Sequence, residues 1–393
     1  MRKNVLKFLV IGAAALASIA SAAPGWFIQT DVNQDFRYRL QEDTQDIYKV
    51  ADDSMKTAHR YRERIRYRLG LTSKINEEFT AGARLATGAL NNTKSVTQTL
   101  GDSGSTNPFG NQGINLDQAY LSYAPKWVPE VTGKFKAIIG KFDLKEGIYT
   151  TTTVAWDSNI SLEGKNLNYN YKNLGVEGLD LFANVGSYVL NHVNGISAYS
   201  SGTGLGVNAN LEVQQLGLKW KILRDYSLET AYTQYAVPFY DNTVISYFGD
   251  KAANQIAAKI GANLSVPYFE KVALLYDDFT NPNDNKDNKA KAYGLEFGTA
   301  KVAKLGDYSL RYLNRRLEKN LGWDFTDDAH STKNTEGEQI TLVLGLVENV
   351  SFTVDYYKFK GIDDTDRDGN DLSDSAKAIL NSSSTRFEIN VKF

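Results

Sequence analysis

The chain has 393 residues, a formal net charge of −2 and no cysteine. The near-neutral balance excludes a strongly basic nucleic-acid binder, and the missing cysteine excludes disulfide scaffolds, thiolate-bound zinc, iron–sulfur clusters and thiol catalysis. Tyrosine (23) and phenylalanine (18) are abundant and proline (7) is scarce, which points to a chain made mostly of strand. A mean hydropathy of −0.38 argues against a helical membrane protein. It does not argue against a membrane barrel, whose lumen face is polar.

Arg2, Lys3 and Lys7 precede an apolar run from Phe8 to about Ala20, and Ala20-Ser21-Ala22 supplies small residues at its end. This is the pattern of a cleaved signal peptide over residues 1–22. The alternative, a membrane anchor, needs a longer apolar run and a charged stop-transfer flank. Residues 23–393 then read as one domain. No later stretch approaches the ~18 apolar residues of a transmembrane helix.

From Trp26 the hydrophobic period is two. Trp26, Ile28, Val32, Phe36, Tyr38 and Leu40 alternate with Gln29, Asp31, Asn33, Asp35, Arg37 and Arg39. Ile65, Tyr67, Leu69 and Leu71 then alternate with Arg62, Arg64, Arg66 and Arg68, and Phe79, Ala81, Ala83 and Leu85 share a face opposite Arg84. Similar runs lie near 114–124, 134–142, 166–176, 181–190, 211–221, 227–235, 253–264, 271–279, 290–299, 308–317, 337–346, 351–359 and 384–393. Between Leu211 and Trp220 the apolar face changes parity, which predicts a bulge. Soluble sandwich strands are shorter, whereas a membrane-crossing strand needs ~9–11 residues. The reading is an all-β transmembrane antiparallel β-barrel of about 16 strands.

The connections alternate in length. Short ones fall near 72–78, 125–133, 177–180, 222–226, 267–270, 300–307 and 347–350. Long ones fall near 41–60, 88–113, 143–165, 191–210, 236–250, 280–289, 318–336 and 360–383. Short periplasmic turns and long extracellular loops have this asymmetry, and an even strand count places both termini in the periplasm. All seven prolines fall outside the expected strands, as a hydrogen-bonded ladder requires. Trp26, Trp127 and Trp220 fall at periplasmic ends and Tyr38, Tyr149 and Tyr276 near outer ones, as an aromatic girdle would.

The final segment alternates throughout: Thr385, Phe387, Ile389, Val391 and Phe393 face one way and Arg386, Glu388, Asn390 and Lys392 the other. A strand ending on Phe393 is similar to the signal read by the bacterial barrel-assembly machinery, although an ordinary C-terminal strand has the same pattern. With Arg60–Gly88, LDQAYLSYAP (116–125) and WDSNISLEG (156–164), it resembles the putative-porin family of Gram-negative outer membranes. The resemblance implies a general-porin-like, homotrimeric, water-filled diffusion pore in outer-membrane lipid and lipopolysaccharide. It would pass small hydrophilic solutes and ions, and it has no enzymatic role.

Arg37 and Arg39, then Arg62, Arg64, Arg66 and Arg68, then Arg84 all carry lumen parity on the first three strands. With strands ~4.8 Å apart they would form one basic wall. One reading is an eyelet lined by this wall; the other is a set of interstrand ion pairs with Asp31, Asp35 or loop acids. In general porins the third long loop folds into the barrel. Here that loop is 143–165, with Asp143, Glu146, Asp157 and Glu163 as candidate acidic partners. It lacks the Pro-Glu-Phe-Gly-Gly motif of enteric porins, and the alternative is a plain surface loop.

Asp364, Asp366 and Asp368, followed by Gly369, match the start of a calcium loop, but Ser375 stands where its last acid belongs. The other reading is a solvated acidic loop with no cofactor. An outer-membrane hydrolase is a rival function, but His59, His192 and His330 have no partner at recognisable spacing. A channel specific for phosphate or organic acids is the nearer rival.

Overall fold

The computed structural model describes residues 29–49, 54–89, 95–101, 110–191, 209–238, 252–323, 325–327, 334–362 and 377–393. The expected signal segment, Trp26, Pro24, Pro108, His192, His330 and the Asp364–Asp368 loop lie outside them.

The strands are β1 (Thr30–Lys49), β2 (Ser54–Lys74), β3 (Phe79–Thr87), β4 (Gln98–Thr99), β5 (Ile114–Tyr123), β6 (Lys134–Asp143), β7 (Ser161–Tyr171), β8 (Leu179–Asn191) and β9 (Ala209–Lys221). They continue as β10 (Tyr226–Ala236), β11 (Ala253–Val266), β12 (Phe269–Thr280), β13 (Lys289–Gly298), β14 (Tyr308–Leu317), β15 (Thr335–Val347), β16 (Val350–Gly361) and β17 (Lys377–Lys392). All pairings are antiparallel and join strands adjacent in the chain, except that β2 pairs with β4, β3 pairs with β5 and β17 returns to β1. The two-residue β4 is a stub on β2 at Arg64 and Ile65. The other sixteen close a barrel, which leaves no free sheet edge around the ring. At the seam the backbones of Gln34 and Phe393 exchange hydrogen bonds of 2.8 and 3.0 Å.

Alternation settles the two faces. Exposed apolar side chains such as Ile139, Leu167, Val185, Leu216, Ile256, Leu274 and Ile389 cover the outside. Aromatic pairs Phe79–Tyr123, Phe135–Tyr169 and Phe269–Phe297 mark its short-turn end. Tight two-residue turns close two of the hairpins there, at 267–268 and 348–349, and Asn349 takes the left-handed φ of 62° that such a turn favours. Pro125, Pro129, Pro238, Pro267 and Pro282 all lie outside the strands.

Three expected boundaries are corrected. The connection expected at 41–60 is largely strand: β1 runs to Lys49 and β2 begins at Ser54. This extension is mostly polar, and its few apolar residues, Ile47, Tyr48, Met55 and Ala58, do not alternate, so hydrophobic period gives no signal; cross-strand bonds such as Thr57 to Asp46 hold it instead. The same holds for the Asn381–Ser383 run of β17, expected within a loop. β7 begins at Ser161 rather than near 166, which shortens the long loop before it.

The bulge expected between Leu211 and Trp220 is absent. Pairing of β9 with β8 is unbroken from Trp220 to Asn210, and with β10 from Lys221 to Glu212. Odd residues face inward throughout; Leu211 and Val213 are apolar because they receive a loop folded into the barrel.

Candidate functional site

The segment between β6 and β7 lies inside the barrel, seated on the inward faces of β9, β10 and β12 and on the connection after β14. Asp277 of β12 is fully buried. Its carboxylate accepts from Thr150 Oγ1 at 2.8 Å, Thr152 Oγ1 at 3.1 Å, the Thr152 amide at 3.3 Å and Gln255 Nε2 at 2.7 Å. Gln215 of β9 brackets Tyr149, accepting from its amide and donating to its carbonyl, both at 2.9 Å. Trp156 donates to the Tyr235 hydroxyl at 3.0 Å and Trp323 donates to the Ala155 carbonyl at 2.6 Å. Trp156 also stacks on Phe325 at 5.1 Å and meets Trp323 edge-on at 5.1 Å. Ala253, Ala290 and Ala292 are small enough to leave room on the wall for this aromatic cluster. Burying two tryptophans is worth several kcal/mol, of order 3–5 each by truncation.

The seven predicted arginines do share the inward face. Register places Arg37 opposite Arg66 and Arg39 opposite Arg64. They are extensively paired, as the ion-pair reading expects. Arg39 Nε lies 2.6 Å and Arg37 Nη1 3.6 Å from Glu388 Oε1. Asp35 holds Arg66 at 2.9 Å and Arg68 at 2.6 Å, and Asp43 holds Arg60 at 3.0 Å and Arg62 at 2.8 Å. Arg84 meets Asp117 at 2.6 Å and Asp143 at 3.7 Å, and Arg64 donates to Gln41 at 3.1 Å. Four of the partners, Asp35, Asp43, Asp117 and Glu388, stand on strands. Asp31 has no ion pair among the described residues.

Arg37, Arg39 and Arg66 border a cavity of about 170 Å³ together with Asp157, Ser158 and Asn159 of the inward loop. Arg311, Arg386, Asp327, Asp355 and Glu388 complete its charges, five guanidiniums against four carboxylates. Sequence reasoning did not assign Arg311, Arg315 or Arg386 to the basic wall, because β14 and β17 lie far along the chain from β1 and β2 and join them only when the barrel closes. Arg315 is fully buried and donates to Gln339 at 2.9 Å. Arg68 and Arg84 border a second cavity, of about 370 Å³, nearer the short-turn end.

The four loop acids separate. Asp157 reaches the arginine cavity; it is buried and accepts from the Asn159 amide at 2.7 Å. Asp143, the last residue of β6, accepts from the Lys145 amide at 3.0 Å. Glu146 pairs with Lys136 at 2.6 Å on the other side of the loop. Glu163 is corrected: it lies on the outward face of β7, paired with Lys141 at 2.7 Å, because inward parity there belongs to Asn166 and Asn168. Tyr149 is likewise no girdle residue; it lies inside, and burial raises its phenol pKa above the usual range. Among the described residues the His59 side chain meets Thr44, at 3.2 Å between Nδ1 and Oγ1. No cluster of three His, Asp or Glu suited to a metal occurs among the described residues.

A family model described as "Putative porin" matches residues 26–269. No curated protein matches the chain. The structure of Pseudomonas putida OprB at high pH is similar over 93% of this chain and 94% of its own, with a TM-score of 0.55 and 11% identity. Salmonella typhi OmpF in complex with daunomycin is similar over 93% and 97%, with a TM-score of 0.51 and 13% identity. At these identities the likeness establishes the barrel fold.

Proposed function

The chain belongs to the family described as "Putative porin", of the Gram-negative outer membrane, and from that membership we propose a passive channel whose narrowest part lies between the arginine wall and the inward loop. A porin is a channel, not an enzyme. Small hydrophilic solutes and ions pass Arg37, Arg39 and Arg66 on one side and Asp157 to Asn159 on the other. Opposed charges across a narrow, low-dielectric passage make a transverse field that orients dipolar solutes and rejects bulky apolar ones. The observation that carries this reading is the shared 170 Å³ cavity, which brings β1, β2 and the loop to one place. Homotrimer formation, contact with lipopolysaccharide and recognition of Phe387, Ile389, Val391 and Phe393 by the assembly machinery belong to the same reading.

The test is planar-bilayer conductance of the purified protein. Wild type opens stable, ion-conducting channels. Arg37→Gln with Arg66→Gln moves the reversal potential in a salt gradient toward cation selectivity. An unchanged reversal potential rejects the placement of the constriction.

A further inference from the structure

Another cavity inside the barrel carries a larger positive excess than the arginine cavity. On the short-turn side of the inward loop a cavity of about 710 Å³ is bordered by β6 to β9 and by Arg311 of β14. It adjoins the arginine cavity, since Thr153, Ser158 and Arg311 border both. Its charged lining is Lys136, Lys145, Lys219 and Arg311 against Glu146 alone. Glu146 is committed to Lys136, and Lys145 and Arg311 make no ion pair among the described residues. Lys219 reaches the next acid, Glu229, only at 3.9 Å. Its ammonium instead stands 5.6 Å from the ring of Tyr149 and 5.5 Å from that of Phe182, and those rings lie 5.5 Å apart. Asn184 adds an amide beside them. Field lines from Lys145 and Arg311, beside the weakly paired Lys219, concentrate in such a recess, and the volume falls within the ~300–1,000 Å³ of small-molecule sites.

We propose that this vestibule binds planar organic carboxylates, with the carboxylate on Lys219 and the ring against Tyr149 and Phe182, ahead of the arginine constriction. The inference rests on the channel reading and names a solute class for it. An aliphatic carboxylate or an inorganic anion gains the charge contact but not the ring contact. Aromatic and cation–π contacts of this kind are worth about 1 kcal/mol, so a benzoate should bind about fivefold tighter than an acetate.

Single-channel current in potassium chloride is recorded with benzoate or acetate added to either side. Benzoate interrupts the current at about one-fifth the acetate concentration. Tyr149→Ala removes that advantage, Lys219→Gln weakens block by benzoate and acetate alike, Lys219→Arg keeps both, and Lys141→Gln on the outer face changes nothing. Calorimetry of benzoate binding to the detergent-solubilised protein repeats the comparison without conductance, and heat-modified gel mobility verifies that each variant is folded. Equal potency of benzoate and acetate, or an unaffected Lys219→Gln, overturns the proposal. A wild type that does not conduct rejects the channel reading, while the calorimetry still decides the site.

Discussion

Arg39 and Glu388, from the first and last strands of the barrel, meet at 2.6 Å on its inner face. Register makes the contact: Arg39 stands directly opposite Glu388 where β17 closes on β1. Glu388 also neutralises Arg37, so one carboxylate holds two guanidiniums beside the constriction.

Glu388→Gln keeps the side-chain shape and removes that charge. A unit charge about 7 Å away in water is worth about 0.6 kcal/mol, and its loss favours the anion and disfavours the cation by that amount each, so the anion-to-cation permeability ratio should rise roughly sevenfold. Reversal potentials in a potassium chloride gradient measure it. No shift would mean that solutes do not pass this pair.

Asp277 tests how the inward loop is held. Asp277→Ala leaves Thr150, Thr152 and Gln255 without their acceptor, and each orphaned buried donor costs about 1–3 kcal/mol. The loop should loosen, raising single-channel conductance and current noise. Thr152→Val removes only one of these donors' side chains and should do less. Identical traces for wild type and Asp277→Ala would show that the aromatic seat alone suffices.

Phe393 separates a structural role from a signal. Its backbone bonds to Gln34 survive Phe393→Ala. If the ring is read during assembly, the variant inserts more slowly with the assembly machinery present yet reaches the same heat-modified mobility once folded. Equal insertion rates assign Phe393 to the seam only.

The turn before β14 carries a pH dependence of definite sign. Asp307 accepts from the Ala303 and Lys304 amides, each at 2.9 Å, and these bonds hold its carboxyl below the usual range. A lowered pKa stabilises the turn fully above the ordinary carboxylate value of about 3.9 and loses that contribution as pH falls through the folded value. Amide protection at Ala303 and Lys304 should therefore fall in strong acid and stay constant above about pH 5. Asp307→Asn should abolish the dependence.

The barrel was legible because lipid and water impose opposite demands on neighbouring residues. Ile65 to Leu71 and Thr385 to Phe393 show that alternation without any partner strand in view. It failed where one demand was missing. Asn381 to Ser383 are polar on both faces, so only their hydrogen-bonded partners mark them as strand. Leu211 and Val213 are apolar on the inward face because a loop covers them, and local sequence reads that as a register change. The arginines were legible as a face, and Asp35 as one of their partners. Glu388 becomes a neighbour of Arg39 only through the register of the closing strands, and Trp156 meets Trp323 only through the folded loop.

The two sides of the constriction are written in separate parts of the chain. The arginine side comes mainly from β1, β2 and β17, while the loop is moored to β9, β10, β12 and the connection after β14. Substitutions that retune charge therefore leave the mooring untouched, and a reshaped loop can evolve against an unaltered basic wall. Divergence within such a lineage can change what passes without rebuilding what narrows the passage.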